Sequence, residues 1–84
     1  MPYIPQDKRE NIDLAIDTLP PDMSIGEVNY TITTLLTKTL AKGYGYKELN
    51  ALIGVIECIK MELYRRVVVP YENIKEEEFG DVFG

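Results

Sequence analysis

The stretch LNALIGVIECIKMELYRRVVVPYE, residues 49–72, decides the fold. Leu52, Ile56, Ile59, Leu63 and Val67 recur at steps of three and four residues, which places them in one stripe of a helix. Leu49 and Ile53 widen that stripe, and Ala51, Val55 and Cys58 form a second apolar stripe beside it. A helix that is apolar on two sides must be covered on two sides. Other helices of the chain can cover one, and the other is most economically met by the same helix of a second copy. The reading is therefore all-α and oligomeric, with a dimer the simplest assembly.

Working outward, GYGY (43–46) is the turn before this helix, which spans about residues 46–67. Upstream, Ser24 and Glu27 make a Ser-x-x-Glu capping box, with Met23 and Val28 at the positions of a hydrophobic staple. They open a second long helix over 24–42, antiparallel to the third, with Val28, Ile32, Leu35, Leu36 and Leu40 on one face. A short first helix runs from about Gln6 to Leu19 and is stopped by Pro20-Pro21. Downstream, the β-branched run 67–69 and Pro70 favour extended backbone. The expectation is a small helical bundle over 1–71 and an extended, partly docked acidic arm over 72–84.

Eighty-four residues suffice for one domain, close to the lower limit for burying a core unaided. The apolar fraction of 45% is too rich for a disordered chain. A single cysteine excludes an internal disulfide framework and suits a reducing compartment. The first ten residues lack a signal peptide's apolar segment, and the longest apolar run is far short of the ~20 residues that span a bilayer. A cytoplasmic protein without a membrane partner is expected. Of the net charge of −5, residues 72–84 carry −4, through Glu72, Glu76, Glu77, Glu78 and Asp81 against Lys75. No basic stripe marks a duplex nucleic-acid binder.

Histidine is absent, which removes the usual proton carrier and the imidazole ligand of zinc. Cys58 has no basic partner and reads as a small core residue. The tail KEEEFGDVF is superficially similar to the Glu-Glu-Leu-Gly-Asp-Val-Leu helix of all-α nucleotide pyrophosphohydrolases, whose carboxylates hold magnesium. That family needs a second carboxylate pair upstream and a helix continuing past the aspartate. Helix 2 offers only Glu27, and three residues follow Asp81, so the likeness is set aside. No enzyme, metal or cofactor is expected.

What remains are binding groups. Glu57 shares a side of the third helix with Asn50 and Gly54. Either Gly54 admits a neighbouring helix and Glu57 pairs with Lys60, Arg65 or a hydroxyl, or the three form a floor for a polar ligand. Glu62 and Arg66 stand at i, i+4 in the favourable order. Arg65 lacks such a partner, and a guanidinium beside Tyr64 suits an anion. Asn29, Tyr30, Thr33, Thr34 and Thr37 give helix 2 a second face that is either solvated or a row of short hydroxyls lining a groove.

The segments VNYTITTLL, LNALIGVIECIKMELYRRVVVPYENIK and GDVF resemble a family of short, uncharacterised proteins of bacteria and their phages. The likeness is loose over 3–19 and good over 27–83, and departs at EEEF in the tail. It implies no mechanism, but its phage distribution implies a counter-defence or host-takeover role in the host cytoplasm. Two functions follow. In the first, a homo-oligomer sequesters a small anionic ligand such as a defence signalling nucleotide. Arg65 and Arg66 meet phosphate, Tyr30, Tyr64 or Tyr71 stacks on a base, and Asn29, Thr33, Asn50 and Glu57 meet polar edges. In the second, the acidic arm occupies a basic site on a host protein.

Overall fold

The computed structural model describes residues 2–84, and every regular element among them is helical. Helices α1 (Gln6–Asp17), α2 (Ile25–Lys38) and α3 (Tyr46–Leu63) are followed by a π-helical turn, Tyr64–Val68, and by α4 (Val69–Phe79). The chain divides into two compact units, the first ending at Leu52 and the second running from Ile53 to Gly84. All-α is thus the class of the chain.

In the first unit the boundaries follow local hydrogen bonding. Arg9 Nε donates to the Ile4 carbonyl at 2.9 Å, which ties the proline-containing lead to α1. The α1 end comes at Asp17, two residues short of the expected Leu19. Thr18 caps it, its hydroxyl donating to the Ala15 carbonyl. The α2 capping box is complete. The Glu27 N–H donates to Ser24 Oγ at 3.2 Å, and the Ser24 N–H donates to Glu27 Oε1 at 2.9 Å. Regular α-helix stops at Lys38, and successive turns carry the chain to Gly43, whose φ of 109° is one that a side chain would disfavour. A second acid then caps α3, where the Gly45 N–H donates to Glu48 Oε2 at 2.9 Å.

The second unit corrects the expected C-terminal arm. Residues 67–79 are helical, not extended, and the boundary drawn between 71 and 72 falls inside α4. The valine run and Pro70 remain real obstacles, because proline lacks an N–H and its ring crowds the carbonyl four residues back. The chain absorbs them by widening one turn. The Val69 N–H donates to the Tyr64 carbonyl, five residues back, so Pro70 enters the first turn of α4 where its missing donor is tolerated. The helix ends at Gly80, with φ of 89°, its N–H donating to the Glu76 carbonyl.

No side chain among the described residues is buried. The most sheltered, only half-buried, include Met23, Thr31, Leu36 and Leu40 in the first unit and Glu62 and Val68 in the second. Cys58, expected in a core, is exposed.

Candidate functional site

The π-helical turn carries three of the nine expected binding residues, Tyr64, Arg65 and Arg66, on consecutive positions. π-turns are rare and recur at functional sites, since they interrupt a ladder that a regular helix would keep. Here Pro70 supplies the local cause. The ion pair at the start of this turn differs from the sequence expectation: Arg65, not Arg66, donates to Glu62 Oε1, at 2.8 Å. Residues three and four apart both face one another on a helix, so spacing alone does not choose between them. Among the described residues Arg66 makes no ion pair. Tyr64 is 55% exposed.

One turn on, Tyr71 is already engaged. Lys75 Nζ lies 5.5 Å from the centre of its ring and 5.6 Å from that of Phe79, while pairing with Glu78 at 3.0 Å. This aromatic–lysine–aromatic row along α4 was not foreseen, although the i, i+4, i+8 spacing of 71, 75 and 79 could have shown it. Beyond Gly80, Asp81 Oδ1 accepts the Phe83 N–H at 2.8 Å. The helix does not continue past the aspartate, and among the described residues no three acids and cysteines stand where they could hold a metal ion. Glu57, on α3 in the same unit, is exposed and pairs with Lys60 at 3.8 Å.

Asn29, Tyr30, Thr33 and Asn50 belong to the first unit. Thr33 donates to Asn29 Oδ1 at 2.9 Å, which engages the hydroxyl proton and the amide oxygen. Neighbouring hydroxyls are spent on their own helix: Thr31 donates to the Glu27 carbonyl and Thr37 to that of Thr34. The groove beside α2 is mainly apolar. Ile12, Ala15 and Ile16 of α1, with Leu19 just beyond its end, face Tyr30, Thr31, Thr34 and Leu35 of α2 across an open cleft of about 650 Å³. Of the expected residues only Tyr30 lines it. Asn50 is exposed in α3. The nine residues thus divide, four in the first unit and five in the second, with the densest group on the π-turn.

These features define an all-helical chain in which several polar groups are engaged within their own helix and large apolar residues are exposed. The chain belongs to the family described as a domain of unknown function, DUF6899, matched over residues 1–82. No curated protein and no solved structure matches it.

Proposed function

We propose that this protein is a non-enzymatic binding protein. It works as a homo-oligomer and holds a small anionic ligand, a signalling nucleotide of a bacterial defence system, in the cytoplasm of a phage-infected host. The observation that carries the reading is the π-turn, which gathers Tyr64, Arg65 and Arg66 at a break in the helical ladder. Arg66 is the primary phosphate contact, because its planar fork matches phosphate oxygens and Glu62 already holds Arg65. Arg65 then acts as the braced second charge, and the exposed Tyr64 ring offers a stacking face. Copies of the chain complete the bundle that one copy leaves open.

The α4 end favours a second reading, a protein-binding inhibitor. Phe79, Val82 and Phe83 are 81%, 88% and 95% exposed among acidic neighbours, a pattern suited to a basic, apolar cleft on a host protein.

Native mass spectrometry of the protein from infected cells, followed by titration with nucleoside triphosphates and dinucleotides, separates the two. The first reading expects a retained nucleotide, affinity at least tenfold weaker in Arg66→Ala, consistent with the ~1.5–3 kcal/mol of a charge-assisted hydrogen bond, and little change on removing residues 80–84. A ligand-free protein that holds one host protein, and releases it when residues 80–84 are removed, establishes the inhibitor instead.

A further inference from the structure

The cleft between α1 and α2 lies wholly within the first unit, and the π-turn reading leaves it unused. Its volume of about 650 Å³ falls within the ~300–1,000 Å³ of small-molecule sites, which combine a mainly apolar lining with a few convergent polar groups. Ile12, Ala15, Ile16, Leu19 and Leu35 form the apolar lining. Asn11, Tyr30, Thr31 and Thr34 are its neutral polar residues, and among the described residues that line it Lys38 alone is charged.

The threonines of this helix are not alike. Thr31, Thr37 and Thr39 donate to the carbonyls of Glu27, Thr34 and Leu36, and Thr33 donates to the Asn29 side chain. Thr34 is the exception: it is half-buried in the cleft wall, and among the described residues its hydroxyl has no hydrogen-bond partner. Lys38 follows at i, i+4, on the same side of α2. Its ammonium makes no ion pair among the described residues. A lysine in a last turn suits the helix dipole, but the dipole asks for a charge alone and not for an unengaged hydroxyl four residues earlier. The pair sets one O–H donor and one positive charge at the α2 end of an apolar trough. A carboxylate, with a single charge and two acceptor oxygens, takes both. Phosphate carries nearly twice the charge and is better matched by the arginine fork. From Thr31 to Lys38 the helix advances about 10 Å, which sets the scale of the apolar part.

We propose that the α1–α2 cleft binds a medium-chain carboxylate, its chain against Ile12, Ala15, Ile16 and Leu35 and its head on Lys38 Nζ and the Thr34 hydroxyl. The site is separate from the nucleotide reading, whose Tyr64, Arg65 and Arg66 belong to the other unit.

The test is a titration of the isotope-labelled full chain with decanoate, below its micelle concentration, followed by amide chemical shifts. Saturable shifts are expected at 11–19 and 30–38. From hexanoate to decanoate each added methylene should tighten binding about two- to fourfold, as partial to full burial of a methylene does. Lys38→Met keeps the apolar stem and removes the charge. It should weaken decanoate about fivefold, the upper range of an exposed ion pair, and leave neutral decanol unchanged. Thr34→Val keeps the shape, removes the hydroxyl and should again weaken decanoate but not decanol. Ala15→Leu fills the floor of the cleft and should weaken both. Retained decanol binding in the first two variants shows that the cleft is still formed. A decanoate site that Lys38→Met and Thr34→Val leave unchanged is apolar adhesion alone and overturns the proposal. So do shifts spread equally over exposed apolar residues of both units. Shifts at 11–38 that follow protein concentration and not decanoate assign the cleft to a second copy and overturn it as well.

Discussion

Ser24 and Pro70 both mark helix boundaries in the sequence, and the chain obeys one and crosses the other. At Ser24 two reciprocal hydrogen bonds, at 3.2 and 2.9 Å, close the start of α2 using nothing beyond residues 24–27. At Pro70 the signal is a missing donor and a steric conflict, and neither forces the chain out of a helix when the preceding turn can widen. The Val69-to-Tyr64 hydrogen bond is that widening. A boundary made by bonds is a positive instruction. A boundary made by an absent bond can be bypassed.

The largest effect expected from testing this contrast is at Pro70. Pro70→Ala restores an N–H and removes the ring, which together weigh up to ~3 kcal/mol in a helix interior. The π-turn loses its cause, and residues 64–72 should close into a regular α-ladder. Thermal stability is expected to rise, with the gain capped at about that figure. Closing the bulge by one residue also turns everything beyond Val68 by about 100° relative to α3. Affinity for an anionic ligand should therefore fall while stability increases. Amide hydrogen exchange checks the ladder directly: the new residue-70 N–H should be protected, and an unprotected one would mean that the wide turn has another origin.

At Ser24 the effect is smaller and of opposite sign. Ser24→Ala removes the acceptor for the Glu27 N–H and should cost about 1 kcal/mol, the usual worth of such a cap. The loss should be local, with faster exchange at the first turn of α2 and unchanged protection around 64–72. Ser24→Asp should restore most of it. If the alanine variant exchanges faster across both regions, the two boundaries are not independent and the contrast fails.

This difference also explains how much was legible in the sequence. The α2 start could be read because Ser24 and Glu27 carry both donors and both acceptors within four residues. The helical class could be read from the 3.6-residue spacing of Leu52, Ile56, Ile59 and Leu63. The helical state of 67–79 could not, since valine and proline propensities describe single residues and the remedy lies upstream at Tyr64. Apolar stripes show which faces need cover and not what covers them, so Cys58 read as core is exposed. For the candidate site, Tyr64, Arg65 and Arg66 were legible as a cluster, whereas the choice of Arg65 as the partner of Glu62 was not. The threonines left two readings open for a related reason. A hydroxyl on a helix can turn back to its own carbonyls, as Thr31, Thr37 and Thr39 do, and composition does not show which way it turns.

The smallest expected effect concerns the two acidic caps and sharpens the comparison through pH. Glu27 is held below the ordinary glutamate value by the Ser24 backbone N–H, and secondarily by the Ser24 hydroxyl. Glu48 is held below it by the Gly45 N–H, and secondarily by its own N–H. Both carboxylates are fully exposed, so water and salt screen them and the shifts are modest contributions. A folded-state pKa below the unfolded one means that the unfolded chain binds the proton more tightly. Stability from these caps is then intact above about pH 4.3, the unfolded glutamate value, and is lost as pH falls from there through the folded values. Glu27→Gln with Glu48→Gln keeps a side-chain acceptor at each cap but removes its titration. Melting temperatures followed at 222 nm between pH 7 and pH 2.5 should show the double variant less stable than wild type at neutral pH. The gap should narrow as pH falls below the ordinary glutamate range and the wild-type caps take up protons. Pro70 has no titrating partner, so protection around 64–72 should not differ between the two proteins across this range. A gap that stays constant down to pH 2.5 would show that the caps act through geometry alone, without their charge.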